Sequence, residues 1–278
     1  MVVLEVGIIF IVGIYGSFAS EGCSFSSDYV IKKAPEEPEG GQDYNFNPVF
    51  DGWWKNVRGV MTVPYVFDKA ISNTGKSAFE YVMDEFQEGS CVEFKQVDST
   101  YKDHYLLIKT GGSCFYNRNG VAGHVGRDPE IQNVYLYMSK ELCSHRGFTL
   151  KDLRIYFGVL RHEFLHAFGL QHTQNRWDRD TFIKVNENNI KENKTSQFNK
   201  CRDCDTFGVP YECNSIMHYP PYTFSRNGYP TIDSVSEGCD LSKNPFKLTS
   251  NDWLLLHKAA KCHGSPKILP GWLKNQNW

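Results

Sequence analysis

The sequence lacks the features that mark nucleic-acid-binding proteins and integral membrane proteins. Its 30 Lys and Arg residues are balanced by 32 Asp and Glu residues, so the net charge of −2 predicts no basic surface for nucleic acid. Beyond the first residues, no apolar run approaches the roughly 18 residues that a membrane-spanning helix needs. The 278 residues allow one or two domains, and a hydrophobic content of 41% suffices for a globular core.

The N-terminus also lacks a basic residue before its apolar run. That run covers residues 6–16, which are too few to span a bilayer, and Ser17–Ala19 follows with the small residues of a cleavage site. We interpret residues 1–19 as a secretory signal peptide, although Glu5 stands where a positive charge is usual. A noncleaved anchor is the alternative. The interpretation predicts a secreted, extracellular protein that contacts no membrane once the signal is removed.

One stretch carries the clearest chemistry in the chain. Residues 162–172 spell H-E-x-x-H-x-x-G-x-x-H. On an α-helix, His162 and His166 share a face, so both imidazoles can bind one ion. Gly169 tolerates the positive φ that ends the helix and turns the chain, which makes His172 the third ligand. The pattern predicts one zinc ion per chain, held by these three histidines.

The residue after the first histidine is the candidate catalytic base. Glu163 is rotated by about 100° from His162 on a helix, so its carboxylate lies beside the metal without binding it. There it can take a proton from a water molecule on the zinc. A bare H-E-x-x-H also arises by chance in helices, where its histidines are solvated or packed. The added glycine and third histidine favour the zinc site.

Two further motifs narrow the family. Residues 172–180 read His-Thr-Gln-Asn-Arg-Trp-Asp-Arg-Asp, and residues 215–219 read Ser-Ile-Met-His-Tyr. The first resembles the H-E-x-x-R-x-D-R-D continuation of the astacin proteases at every fixed position except Thr173. The second resembles the S-x-M-H-Y turn of the same metzincin family. Over about residues 58–263 the chain is identified as a member of that family.

The resemblance implies a fold, a site and an activity. The fold is α+β with two lobes, an N-terminal mixed sheet with two long helices and an irregular C-terminal lobe. The activity is that of a secreted zinc endopeptidase, a monomer acting on protein or peptide substrates. Glu163 is then the catalytic base, and Met217 lies beneath the zinc. Tyr219 lies beside the metal, where its hydroxyl ligates zinc at rest or stabilises the oxyanion.

The same residues leave a second interpretation open. In it, the chain is a secreted binding protein that keeps a structural zinc and has no activity. Its support is a pair of departures from the family pattern. Many astacins have a glutamate that meets the buried N-terminus after activation, where this chain has Thr173. Their pro-segments carry F-x-G-D, whose aspartate occupies the zinc, whereas the match at residues 50–53 ends in Trp53. Neither departure touches a catalytic group, so the enzyme is favoured.

Residues 20–57 contain a charged stretch rich in proline and glycine, without an apolar period, and predict an extended pro-segment of a zymogen. Asp51 is a candidate for the latency aspartate, and a simple linker is the alternative. Lys55 and Arg58 are the basic residues near the start of the protease domain, and cleavage at Arg58 leaves too little chain to reach the buried pocket. Residues 264–278 form a tail with no recognisable module, so a bare protease domain is expected.

The nine cysteines indicate an oxidising compartment. Family resemblance implies two pairs, Cys91–Cys262 and Cys114–Cys143. Spacing leaves three pairings open for four others, which are Cys201, Cys204, Cys213 and Cys239. Loop disulfides are favoured over a second metal site at Cys201 and Cys204, because no neighbouring histidine completes a tetrahedral set. Cys23 is left unpaired.

Apolar periodicity predicts the elements of the first half of the chain. Residues 61–67, 92–97, 105–108 and 133–138 have the patterns of strands. By family resemblance the last of them is the edge strand that pairs with extended substrate, and an internal strand is the alternative. A helix follows Asn73, with a stripe spaced i, i+3, i+4, i+7 that we assign to the core: Phe79, Val82, Met83 and Phe86.

Fewer elements are predictable in the second half. The helix that carries the histidines begins at Thr149, and a terminal helix covers Thr249–Ala260. Between them the chain is polar, and Asn193 begins a glycosylation sequon whose occupancy the sequence leaves open. His257 and His263 are expected on the surface and not among the metal ligands.

Overall fold

The computed structural model describes the chain from residue 54 to residue 264 with gaps. It covers residues 54–111 apart from 70, 72, 99, 102 and 104, then 133–139, 150–242 apart from 203, and 246–264. The predicted signal peptide, Cys23, Asp51, Trp53, the Cys114–Cys143 pair and the C-terminal tail lie outside the described residues. Within those described, no helix is long and apolar enough to cross a membrane.

A five-stranded mixed sheet forms the base of the N-terminal lobe. Its strands are β1 (Lys55–Val57), β2 (Val60–Phe67), β3 (Val92–Gln96), β4 (Tyr105–Gly111) and β5 (Asn133–Ser139). β1 is antiparallel to β2, whereas β2 is parallel to both β3 and β4, and β4 is parallel to β5. The four predicted strands are confirmed. Among the described strands β5 pairs with β4 alone, and its role as a substrate-binding edge stays a prediction.

Helix α1 (Asn73–Gly89) supplies one wall of the core. The predicted stripe is confirmed, because each of its members is at most 2% exposed: Phe79, Val82, Met83 and Phe86. Burial of each such side chain contributes about 1.5–3 kcal/mol relative to exposure. The apolar stripe therefore fixes the side of α1 that faces the lobe interior.

Helix α2 (Leu150–Ala167) carries the histidine motif and is anchored by its opposite face. The ring of Phe164 lies 6.1 Å from Phe79, 5.8 Å from Phe86 and 5.5 Å from Phe94, measured between centroids. A buried ion pair of 2.7 Å between Arg161 and Glu85 also joins α2 to α1. These contacts hold the ligand-bearing helix in place through groups that are not themselves ligands.

Trp54, the first described residue, is hydrogen-bonded to the end of α2. The indole N–H of Trp54 donates to the carbonyl of Ala167 (2.8 Å), one of the last carbonyls of α2, and Trp54 is 6% exposed. After β1 the chain reverses at Arg58 and Gly59, whose φ values are 55° and 83°, and returns as β2. Residues 54–57, assigned above to the pro-segment, thus belong to the sheet and core. The boundary at residue 58 concerns processing and stays a prediction.

The C-terminal lobe is irregular, as expected. Its described chain forms short 3₁₀ helices at Thr173–Asn175, Arg179–Thr181, Glu187–Asn189 and Glu192–Phe198. Strands β6 (Ile183–Val185) and β7 (Ile232–Ser234) form a small antiparallel sheet. A second, smaller apolar cluster lies beside them and contains Tyr219 and Phe224.

Helix α3 (Ser250–Ala259) confirms the predicted terminal helix. It begins with a capping box, in which the Thr249 hydroxyl accepts from the Asp252 N–H and the Asp252 carboxylate accepts from the Thr249 N–H. His257 is 7% exposed, so the expectation that it lies on the surface is wrong. Its ring is covered because the chain after α3 folds back, which brings the Gly264 carbonyl to 2.8 Å from Nε2.

Disulfides cross-link the described residues at Cys91–Cys262, Cys201–Cys204 and Cys213–Cys239. The first confirms the pairing that the family resemblance implied, and it joins the start of β3 to the chain beyond α3. The other two show which of the three possible pairings forms among the four loop cysteines. They also confirm loop disulfides in place of a second metal site.

Candidate metal centre

Three histidine rings converge where α2 ends. His162 and His166 are one turn apart on the helix, and their ring centroids lie 4.6 Å apart. The Nε2 atom of His172 is 3.2 Å from that of His162 and 3.1 Å from that of His166. A tetrahedral ion with nitrogen ligands at about 2.0–2.1 Å places those nitrogens about 3.4 Å apart. The three atoms are therefore spaced as ligands of one ion.

Gly169 allows the third histidine to return to the first two. Its φ is 101°, in the left-handed region that glycine tolerates. The Gly169 N–H donates to the His166 carbonyl (2.8 Å) and the Leu170 N–H to the Leu165 carbonyl (2.9 Å), which is a Schellman ending. The predicted helix end at glycine is confirmed, and the reversed chain brings His172 back to the helix.

Backbone carbonyls orient both helix histidines. His162 Nδ1 lies 2.7 Å from the Ile216 carbonyl, and His166 Nδ1 lies 2.7 Å from the Leu170 carbonyl. Because a carbonyl oxygen only accepts, each Nδ1 carries the hydrogen and each Nε2 keeps its lone pair. Metal-binding histidines are usually oriented in this way by a partner of the other ring nitrogen.

Burial keeps these imidazoles neutral. It lowers the pKa of His162, and together with the neighbouring His162 it lowers the pKa of His166 to about 3. The pKa of His172 also falls well below its ordinary value, through burial and then the other histidines. Neutral imidazole is the form that binds metal, so no proton has to leave at neutral pH. Three imidazole nitrogens with lone pairs crowded around one point fit zinc.

The two remaining predicted site residues come from different lobes. Glu163 follows His162 on α2 and is half-buried. Tyr219 is 8% exposed, and its ring packs against His172 with centroids 4.4 Å apart. Met217 is 1% exposed and belongs to the main core cluster. The structure thus brings Tyr219 to the histidines, whereas the catalytic roles of Glu163 and Tyr219 and the place of Met217 under the metal stay predictions.

Thr173 belongs to a buried hydrogen-bond chain that the sequence motifs do not reveal. Its hydroxyl donates to Ser215 Oγ (3.0 Å), and Ser215 Oγ donates to Asp252 (2.6 Å). Asp252 also accepts from the Ile216 N–H (3.1 Å), and burial raises the pKa of its carboxyl. The chain links the segment after the third histidine to the turn before Tyr219 and to α3. Asp252 is not among the residues that the sequence predicts for the site.

A cavity of about 70 Å³ lies behind the third histidine and is lined in part by Thr173, Asn175, Glu212 and Asp252. The Glu212 carboxylate accepts from the Thr249 hydroxyl (2.6 Å). Burial raises the pKa of Glu212, and the charge of Asp252 adds to that effect. Two carboxyl groups therefore share one small, acceptor-rich space.

Comparison with known proteins agrees with this site. The sequence model of the Astacin peptidase family matches residues 53–241. Zinc metalloproteinase nas-14 of Caenorhabditis elegans is 32% identical over 203 residues, which are 72% of this chain and 36% of that protein. Low choriolytic enzyme of Oryzias latipes is 29% identical over 210 residues, 76% of this chain and 69% of that protein. The chain spans little more than a third of the length of nas-14 and of a second nematode relative, zinc metalloproteinase nas-13.

A solved structure has the same fold. It is that of high choriolytic enzyme 1, a hatching enzyme zinc-protease from Oryzias latipes, with a TM-score of 0.58 and 23% identity. The similarity covers 75% of this chain and 94% of that one, which confirms the predicted α+β fold. Family match, fold and the three-histidine group agree. The chain therefore belongs to the astacin family and carries an astacin-type zinc metalloendopeptidase domain, whose cofactor is one zinc ion.

Proposed function

We propose that this chain is a secreted endopeptidase that hydrolyses peptide bonds in protein or peptide substrates with water as the nucleophile. One observation carries the proposal. The Nε2 atom of His172 lies 3.1–3.2 Å from those of His162 and His166, and the three rings converge beside the ring of Tyr219. Secretion is supported by the signal-like first residues and by the disulfides of the C-terminal lobe. Asn193, which begins the glycosylation sequon, is exposed, so a glycan can be attached there.

His162, His166 and His172 are the residues that would hold the metal. Zinc bound there supplies Lewis acidity for the scissile carbonyl and lowers the pKa of water to about 7. The protein keeps two of the rings in the ligating orientation through the Ile216 and Leu170 carbonyls. These contacts use Nδ1 of each ring and leave Nε2 for the metal, and such partners fix the orientation of metal-binding histidines.

Glu163 is the proposed proton carrier. Its position next to His162 places a carboxylate at the same end of α2 as the ligands. It accepts a proton from the attacking water and passes it to the leaving amine, which cannot depart as an anion. Such acid–base work is typically worth about 10²–10⁴-fold in rate.

Tyr219 is the proposed donor to the oxyanion of the tetrahedral intermediate. Its ring rests on His172 at the edge of the histidine group, in a lobe separate from α2. A hydroxyl at that place stabilises negative charge that appears only as the carbonyl is attacked, so it acts mainly on kcat. Extended substrate would pair with β5.

Assay against casein, with and without a chelator, tests the activity. The parent should digest casein and lose that ability when the metal is removed. Glu163→Gln should keep the fold and one zinc per chain but lose about 10²–10⁴-fold in turnover. Activity within about threefold of the parent would reject Glu163 as the base. A zinc-loaded parent that digests nothing would instead favour the inactive binding protein.

Zinc content tests the ligands separately. His166→Ala should fail to retain one zinc per chain by atomic absorption, because two imidazoles hold the ion too weakly. His263→Ala is the matched control, since His263 is exposed and lies outside the histidine group. Full zinc content in His166→Ala would contradict the assignment.

A further inference from the structure

The backbone of Tyr219 is held from both sides by buried side chains. Its N–H donates to Gln174 Oε1 (3.0 Å), and its carbonyl accepts from His218 Nδ1 (2.8 Å). Gln174 is 0% exposed and His218 is 7% exposed. A shift of this backbone would break two buried hydrogen bonds, each costly because water cannot replace the lost partner.

His218 is held in turn by Tyr211. Since the Tyr219 carbonyl only accepts, His218 Nδ1 carries the hydrogen. Burial lowers the pKa of His218 to about 4, so the neutral ring has a lone pair on Nε2. The Tyr211 hydroxyl lies 2.8 Å from that nitrogen and donates to it. Burial raises the pKa of Tyr211, so its hydroxyl keeps the proton that it donates.

Tyr211 is fixed by the chain that follows the third histidine. Its ring stacks on Phe182 with centroids 4.5 Å apart and planes 5° from parallel. The guanidinium of Arg176 lies 5.3 Å from the same ring centroid, and Arg176 is itself held by both oxygens of Asp178 (2.9 and 2.7 Å). The hydroxyl of Tyr211 therefore has little freedom to leave His218.

We propose that Tyr211, acting through His218, is a positioning residue for the Tyr219 hydroxyl, a role that rests on the proposed function of Tyr219. The Tyr211 donor pins one imidazole nitrogen, which keeps the other aimed at the Tyr219 carbonyl. A donor to a transition state has to be held within about 0.5 Å of its productive place. Removing the Tyr211 hydroxyl frees the His218 ring to rotate and loosens Tyr219 without touching a metal ligand.

Tyr211→Phe tests the proposal with one atom removed. It should lower kcat by about threefold to tenfold, which corresponds to the free energy of one hydrogen bond. KM and zinc content should be unchanged. Tyr222→Phe is the matched control, since Tyr222 is exposed (47%), and it should match the parent. An unchanged kcat in Tyr211→Phe would overturn the proposal.

A double-mutant cycle separates positioning from a general structural role. If Tyr211 acts through the Tyr219 hydroxyl, adding Tyr211→Phe to Tyr219→Phe should cause no further loss in kcat. Losses that multiply would overturn the positioning role while the proposed function of Tyr219 stands. If Tyr219→Phe alone matches the parent, the proposed function of Tyr219 fails, and the positioning role fails with it.

A second variant covers the case in which Tyr211→Phe does not fold. His218→Asn places an amide N–H near the position of Nδ1 but has no second nitrogen to accept from Tyr211. It should reproduce the loss in kcat and, like Tyr211→Phe, add nothing in the Tyr219→Phe background. A His218→Asn variant with the kcat of the parent would also overturn the proposal.

Discussion

The two lobes of this protein are stabilised in different ways. The N-terminal lobe has one continuous apolar core between its sheet and helices, built around the rings of α1 and α2 and extended by α3 and Met217. The C-terminal lobe has a smaller apolar cluster and relies on directed polar contacts. Arg179, for example, is 8% exposed and donates to the carbonyls of Gln174 and Phe198. Disulfides at Cys201–Cys204 and Cys213–Cys239 lie in the same lobe.

The difference matters because the site draws on both lobes. Apolar burial is non-directional. It anchors α2 firmly, and the core tolerates replacement of one apolar side chain by another of similar volume. Hydrogen bonds fix individual atoms, and they place Tyr219 and the loop of the third histidine. We therefore expect changes in the N-terminal core to act mainly on stability, and small polar changes in the C-terminal lobe to act on turnover.

The largest loss of stability should follow removal of Cys91–Cys262, the disulfide that closes the longest loop among the described residues. Its sequence separation is 171, against 26 for Cys213–Cys239 and 3 for Cys201–Cys204. Loop-closure entropy then predicts losses of about 5, 3.5 and 1.6 kcal/mol for the three double serine variants. Urea unfolding measures them, and an order in which the shortest loop matters most would contradict this account.

Phe164→Ala should come next, at about 3–5 kcal/mol of the free energy of unfolding, because it leaves a cavity among four aromatic rings. Tyr229→Ala is the control, since Tyr229 is 66% exposed and should cost less than about 0.5 kcal/mol. Urea unfolding measures both. Folded Phe164→Ala protein should retain most of its turnover, and selective loss of activity with unchanged stability would break the comparison between the lobes.

Arg179→Met should cost about 1.5–3 kcal/mol, because two buried carbonyls lose a charged donor. One of them belongs to Gln174, whose side chain holds Tyr219, so kcat should fall in the folded variant as well. Lys184→Met is the matched control on an exposed position of β6. Equal kcat values in the two variants would show that the polar network does not reach the site.

Thr173→Glu should not raise activity, although it restores the residue usual in the family. Ser215 Oγ loses the Thr173 hydroxyl, one of its two donors, which costs about 0.5–1.5 kcal/mol. In a domain of this size, each kcal/mol lowers Tm by about 2–4 °C. The new carboxylate also joins Glu212 and Asp252 in the small cavity. Thr173→Val is the control that removes the hydroxyl without adding charge.

The change of Tm with pH should show how the new carboxyl group of Thr173→Glu affects stability. Burial near two carboxyl groups should raise the folded-state pKa of the new side chain above its unfolded value. Its charge then destabilises most at high pH, and the difference in Tm from Thr173→Val should shrink as the pH falls towards the unfolded pKa. Higher activity and higher Tm in Thr173→Glu would show that a cation, such as a freed N-terminus, reaches the cavity.

The sequence was sufficient to predict features that follow a helical repeat or a motif of a few neighbouring residues. The stripe of α1 follows the helical repeat, and the three histidines keep the spacing that one ion imposes on a helix and its turn. Gly169 was predictable because positive φ favours one residue type. These features can be read from a window of a few residues.

The remaining features depend on contacts that no repeat or motif in the sequence indicates. β1 has three exposed residues and no apolar period, so nothing in its own sequence indicates a strand. Gln174 lies 45 residues from Tyr219, and no local pattern pairs them. No sequence pattern singles out Tyr211 and His218 as partners, because the contact forms only when the loops fold together. His257 looks like a surface residue until the chain end folds over it.

The contact of Trp54 with α2 bears on the predicted processing near residue 58. Lys55 and Arg58 resemble sites for a trypsin-like protease, but Lys55 begins β1 and Arg58 occupies a two-residue reversal between paired strands. A cut after either residue separates Trp54 from the rest of the polypeptide, and with it the indole donor on Ala167 at the end of the catalytic helix. We expect removal of a leader upstream of Trp54 to leave this hydrogen bond intact, whereas a cut at Arg58 should lower the stability of the end of α2.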